Sequence, residues 1–112
     1  MHELGLTTNI VAAVAAAANG RRVRRVTLEV GKLSGVLADA IAFCFEVAAK
    51  GTAMAGAELD IREIEGRARC RSCGAEFETD TLFTACACGC HRLERLRGDE
   101  LNIKSIELRE AA

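Results

Sequence analysis

The chain has no tryptophan, no tyrosine and no proline, and its only aromatics are four phenylalanines in 112 residues. A core must therefore come from Leu, Ile, Val, Ala and those few Phe side chains, and no proline sets a turn or stops a helix. An excess of one charge is missing too: 15 Lys and Arg stand against 16 Asp and Glu, a net −1. Such a balance argues against a nucleic-acid or anionic-membrane surface as the main role. The one basic run, Arg21, Arg22, Arg24 and Arg25 beside Gly20, could grip phosphate, but runs of this kind are more commonly a solvated turn leading into a strand. Long apolar runs are lacking as well. The stretch NIVAAVAAAANG imitates the end of a signal peptide, yet the opening carries Glu3 and no Lys or Arg, and Thr7, Thr8 and Asn9 interrupt it. It is also too short to span a bilayer. With only two histidines, there is no Ser-His-Asp arrangement to propose, and no Gly-rich phosphate loop.

What the chain does have is cysteine. Of six, Cys44 stands alone, while Cys70, Cys73, Cys86, Cys88 and Cys90 fall within 21 residues. No disulfide framework spans the remainder, so the clustering points to metal chemistry in a reducing cytosol. Cys44 sits on the apolar face of a helix, where a lone cysteine is usually a small core residue.

Hydrophobic spacing places the elements. Residues 3–18 read as a helix: Leu4, Leu6, Ile10, Val11, Val14 and Ala17 recur near the helical period, and Asn19-Gly20 ends it. RRVTLEVGKL alternates, with Val26, Leu28 and Val30 on one face of a strand. Gly31 and Gly35 mark a turn, with Ser34 a candidate cap. Residues 37–50 predict a second helix with a stripe of Leu37, Ile41, Cys44, Phe45 and Ala48, closed by Lys50 and Gly51. AELDIREIE gives another strand, and ELNIKSIEL a last one in which the apolar phase changes after Ile103. A bulge near Lys104-Ser105 would restore one face. The order predicts an α/β (α+β) domain, two helices on one face of a three-stranded sheet, with a zinc-ribbon-like module inserted between the second and third strands.

The inserted segment carries the clearest motif. Cys70-x2-Cys73-Gly74 is one half of a zinc knuckle, in which the glycine lets backbone amides turn toward the thiolates. Phe77, Leu82 and Phe83 suit a small hairpin between the halves. The second half is irregular: Cys88-Gly89 repeats the thiolate–glycine turn, while the fourth ligand is either Cys86 or Cys90, with His91 a further candidate. An iron–sulfur cluster or a redox pair at Cys70 and Cys73 would use the same atoms, but two separated pairs fit a ribbon better. Zinc held by four thiolates has no open position, so this site is expected to be structural.

The amino terminus offers a second donor set. A free α-amine, the His2 imidazole and nearby backbone nitrogens can form fused chelate rings that favour Ni²⁺ or Cu²⁺. Both groups can lose protons to a metal around neutrality. By itself His2 would be read as an exposed side chain.

Taken together and in order, the opening MHE, the stretch IAFCFEVAAKGTAMAGAELDI, the thiolate pairs and the ending GDELNIKSIEL resemble the HypA/HybF family of nickel-insertion proteins over nearly the whole chain. That family serves the maturation of nickel–iron hydrogenases. The resemblance implies a nickel-binding α/β domain, here 1–65 and 99–112, and an inserted zinc domain, 66–98. It implies His2 as the key nickel ligand, helped by the Met1 amine and backbone nitrogens, with Glu3 tuning the site. It implies zinc on Cys70, Cys73 and Cys88. The family usually reads Cys-Pro-x-Cys-Gly in the second half, and the matching first position here is Ala85. Cys86, one residue later, is therefore expected as the fourth ligand, with Cys90 as its substitute. The resemblance further implies a cytoplasmic metallochaperone rather than an enzyme. Its partners would be a HypB-type GTPase and the hydrogenase large-subunit precursor, with a homodimer left open and urease as an alternative client. The competing reading is a zinc-ribbon module that binds nucleic acid or a protein partner.

Overall fold

Helix α1 runs from Glu3 to Ala18 in the computed structural model of the chain, which describes residues 3–110. Its buried face is Thr7, Val11, Val14 and Ala18, the i, i+4, i+7, i+11 spacing of a helical stripe. The stripe is rotated from the expected one, since Leu4 is 50% exposed and Ala17 is exposed, while Thr7 is wholly buried. A threonine can occupy that place because its hydroxyl donates to the Glu3 carbonyl one turn back. Asn19 and Gly20 end the helix at φ 52° and 84°, the left-handed angles these residues tolerate.

Strand β1 (Val23–Gly31) is the middle of a three-stranded sheet, between β2 (Glu58–Ile64) and β6 (Leu101–Leu108). The Val23 N–H reaches the Ala53 carbonyl and Arg25 pairs with Glu58 further along, so β1 and β2 run in the same direction. The Arg109 N–H to Arg22 carbonyl bond and the Arg24–Glu107 pair set β6 antiparallel to β1. A parallel pair needs a crossover, and helix α2 (Ala38–Ala49) supplies it. Ile41, Phe45 and Ala49 are its buried residues, with Cys44 and Ala48 half-buried. Leu37, expected to begin the stripe, is 68% exposed, because it stands before the first helical turn in extended backbone. Ser34 does not cap this helix; its Oγ accepts the Val36 N–H in a local turn. The two helices pack against each other.

The chain forms two compact units. One comprises residues 1–28, 37–62 and 102–112, the other 29–36 and 63–101. The first holds both helices and a core of Val14, Val23, Val26, Leu28, Ile41, Phe45 and Met54, none more than 3% exposed. Full burial of each large aliphatic side chain there stabilises the fold by about 1.5–3 kcal/mol. The second holds a sheet in the order β4 (Glu76–Glu78), β3 (Arg67–Cys70), β5 (Leu93–Arg97), all antiparallel. The expected hairpin within residues 75–85 is not what forms. Instead β4 folds back on β3 across the Cys70–Cys73 turn, and β5 covers the other edge. Three glycines meet in this unit: a side chain on Gly31 would overlap the Gly98 carbonyl, and one on Gly98, at φ +115°, would meet the Gly66 Cα at 2.7 Å. No helix among the described residues is long and apolar enough to cross a membrane.

Candidate metal centre

Cys70 ends β3, and the chain turns immediately after it. The turn is closed by Cys70 N–H to the Ala75 carbonyl at 2.8 Å and Gly74 N–H to the Cys70 carbonyl at 2.9 Å. Gly74 sits at φ +77°, which spares a side chain the left-handed strain. Inside this turn the Ser72 and Cys73 amides both point at the Cys70 sulfur, each at 3.4 Å.

The irregular second half proves to be the same turn with one residue fewer. The Cys86 N–H donates to the Cys90 carbonyl at 2.9 Å, and the Gly89 N–H to the Cys86 carbonyl at 2.8 Å, with Gly89 at φ +93°. Cys90 thus takes the position of Ala75, and it closes the turn through its carbonyl. Its half-buried sulfur accepts the Arg92 N–H at 3.3 Å, just before β5.

The two turns bring four sulfurs together. Cys70, Cys73, Cys86 and Cys88 lie within 4.8 Å of one another, with Cys70 and Cys86 buried and Cys73 and Cys88 exposed. The contacts cross between the halves, Cys70 to Cys88 at 3.6 Å and Cys73 to Cys86 at 3.5 Å. A disulfide would need about 2.05 Å. Four sulfurs at about 2.3 Å from a tetrahedral ion lie roughly 3.8 Å apart, so the group has the dimensions of a zinc tetrathiolate.

The electrostatics of the bare sulfurs agree. The Cys73 amide, opposed by burial and helped by the Ser72 amide, draws the Cys70 thiol down to about 6. The Cys90 amide pulls Cys88 the same way, but the neighbouring sulfurs of Cys70, Cys86 and Cys73 outweigh it and push Cys88 up to about 12. Cys86 is also raised, its burial and the Cys73 sulfur overcoming the Cys88 amide. The Cys70 sulfur ionises readily while Cys86 and Cys88 hold their protons, because adjacent thiolates repel unless a cation lies among them. A soft divalent ion relieves that conflict, and the donor set fits zinc.

The structure leaves the other candidates apart from this group. His91 is exposed, and Cys44 lies on α2 in the other unit. Glu3 occupies the first turn of α1, where a carboxylate suits the helix dipole. Met1 and His2 lie outside the described residues. What sequence reading missed is the supporting sheet: Arg69 of β3 pairs with Glu76 of β4 and Glu94 of β5, its direct register partners. The arginine run is partly absorbed as well, Arg24 into Glu107 and Arg25 into Glu58 and Glu107.

Comparison with known proteins agrees over the whole length. The family model described as HypA, hydrogenase/urease nickel incorporation, metallochaperone, matches residues 1–108. The hydrogenase maturation factor HypA of Nostoc sp. (strain PCC 7120) is 52% identical over 110 residues, covering 98% of this chain and 97% of that protein. That of Trichormus variabilis is 53% identical over the same shares. The solution structure of the nickel metallochaperone HypA from Helicobacter pylori superposes with a TM-score of 0.66 at 20% identity, covering 96% of this chain and 97% of that one. At that identity it supports the fold.

Proposed function

The chain belongs to the HypA family of hydrogenase and urease nickel-incorporation metallochaperones, and from that premise we propose how its residues divide the work. Nickel is the cargo. Its carrier is the amino terminus: the His2 imidazole and Met1 amine bind Ni²⁺ together with backbone nitrogens of His2 and Glu3, and the Glu3 carboxylate tunes the site. Exchangeable nitrogen donors at a chain end release an ion more easily than a closed cage does, which suits transfer. The nickel-binding domain is 1–65 with 99–112, and the zinc-binding domain is 66–98.

Cys70, Cys73, Cys86 and Cys88 hold the zinc, whose contribution is to tie two turns together. Four thiolates leave it no position for substrate, so the centre is structural and the protein is not an enzyme. The nickel is handed to the large-subunit precursor of a NiFe hydrogenase in the cytoplasm, in concert with a HypB-type GTPase that supplies the nucleotide chemistry. The zinc-ribbon alternative is not favoured: two of the four arginines that suggested nucleic-acid binding are spent on carboxylates.

The observation that carries the nickel site is the family match, which begins at residue 1 and so includes the MHE opening. Its test is a nickel titration of untagged protein with an authentic terminus, beside His2→Ala. The variant is expected to lose stoichiometric nickel while keeping its zinc and its helical circular dichroism. A His2→Ala protein that still binds one nickel would overturn the site. Adding one residue before Met1 should weaken nickel as well, because it moves the amine.

A further inference from the structure

Helix α2 carries more apolar surface than its core uses. Away from Ile41, Phe45 and Ala49, it presents Phe43, 68% exposed, and Val47, 47% exposed, one turn apart. A helix with one buried face ordinarily turns polar residues outward. Here the second face lines an open groove of about 580 Å³, completed by Met54, Ala55 and Gly56.

Beside the groove stands a cluster of like charge. Arg22 Nη2 donates to the carbonyl of Ala55 in the groove wall at 3.2 Å. Arg109 Nη2 lies 3.8 Å from the position a Gly56 side chain would begin. Arg21 Nη2 donates to the Arg109 carbonyl at 3.0 Å, and the Arg109 N–H to the Arg22 carbonyl. The Arg21 and Arg22 guanidiniums are thus tied to neutral carbonyls, and that of Arg109, far away in sequence, stands beside the same wall. Their neighbours Arg24 and Arg25 are paired with Glu107 and Glu58, but among the described residues these three have no carboxylate partner. Of the charged groups lining the groove itself, Lys50 adds to the positive side and Glu46 opposes it.

We infer that the α2 groove and the Arg21–Arg22–Arg109 cluster form one docking site for an acidic, amphipathic helical segment of a partner protein. The groove takes apolar anchors at i and i+4 spacing, matching Phe43 and Val47, and the guanidiniums take carboxylates at the segment's end. A second copy of this chain is the poorer occupant. In a two-fold dimer this patch would face itself, and with Arg21, Arg22, Arg109 and Lys50 against Glu46 it would set a positive surface on a positive one. The site does not depend on the nickel reading, because it uses neither terminus residue.

The test uses a fluorescein-labelled, helix-forming peptide with leucines at i, i+4 and i+7 and glutamates elsewhere, beside the same peptide with lysine for every glutamate. Anisotropy is expected to give the acidic peptide an affinity at least about tenfold above the basic one. Added salt should erode that difference. Phe43→Ser with Val47→Ser should cost about tenfold or more. Both side chains are exposed, so this variant keeps its fold, which circular dichroism checks. Amide shifts on titration are expected at residues 43–57, 21, 22 and 109. His2→Ala should bind the peptide as the parent does, which separates failure here from failure of the nickel site. Equal binding of the two peptides, or shifts centred elsewhere, would overturn the inference. So would a parent dimer that Phe43→Ser with Val47→Ser turns into a monomer, since the occupant would then be a second copy.

Discussion

The Cys86 amide and the Cys90 carbonyl close a turn between them, so both residues are structural, yet only one sulfur reaches the cluster. The missing residue in this half brings Cys86 to the place where its sulfur meets Cys73, and leaves Cys90 where Ala75 stands in the other half. Serine at the two positions should therefore have opposite results. Cys86→Ser removes a thiolate from a closed set, and zinc after dialysis is expected to fall well below one per chain. Cys90→Ser keeps the carbonyl that closes the turn, alters only the sulfur's contacts with the Arg92 amide and carbonyl, and should retain a full zinc. Elemental analysis distinguishes them, and the reverse pattern would assign the fourth ligand to Cys90. Spacing alone left these two open, because the turn's closing hydrogen bonds involve no side chain.

At the scale of elements, the strands differ in how they are fastened. Lys32, just past β1, donates to Glu65, just past β2, at 2.7 Å. That hydrogen bond first, and the carboxylate's charge next, raise the Lys32 ammonium above its ordinary 10.5. A raised lysine contributes stability that is complete below 10.5 and is lost as the pH climbs through its folded value. An NMR titration of the lysine side chains should find Lys32 titrating above 10.5, and Glu65→Gln should return it toward that value. A midpoint unmoved by the substitution would remove Glu65 as the cause. Such pairs also explain what the sequence hid. The helices and the β1, β2 and β6 strands were legible because apolar residues recur at helical or alternating spacing; a face is buried in the helices and in β1, and only half-buried in β2 and β6. Strand β5 was not, since Leu93 and Leu96 break alternation and the strand is held by Arg69–Glu94 and its backbone ladder. Ile103 is 38% exposed while Ile106 and Leu108 are half-buried, so the change of phase in β6 does not gather four side chains on one buried face. Thr7 was overlooked for a related reason: pattern reading scores a hydroxyl as polar, and cannot see the carbonyl it will satisfy.

For the molecule as a whole, the two units are unequally provided with core. The first buries a full set of aliphatic side chains from both helices and the sheet. In the second, the buried apolar residues are Val30, Ala68, Cys70 and Cys86, and two of these are members of the sulfur group. So little apolar burial does not offset the conformational entropy of ordering the segment, and small units of this kind need a staple. Zinc is that staple, since a metal that binds only the folded form adds its binding energy to folding. Chelation, or Cys70→Ser, is accordingly expected to melt the second unit first. Amide exchange at Arg67–Cys70 and Leu93–Arg97 should become fast, while α1 and α2 keep their protection and most of the helical circular dichroism remains. Falling pH should act in the same direction, because protons compete with the metal for thiolates. Loss of protection in α1 and α2 at the same chelator concentration would mean that the first unit's core does not suffice alone. Zinc would then be holding the entire chain, and the first unit's buried aliphatic residues would have to be worth less than their area implies.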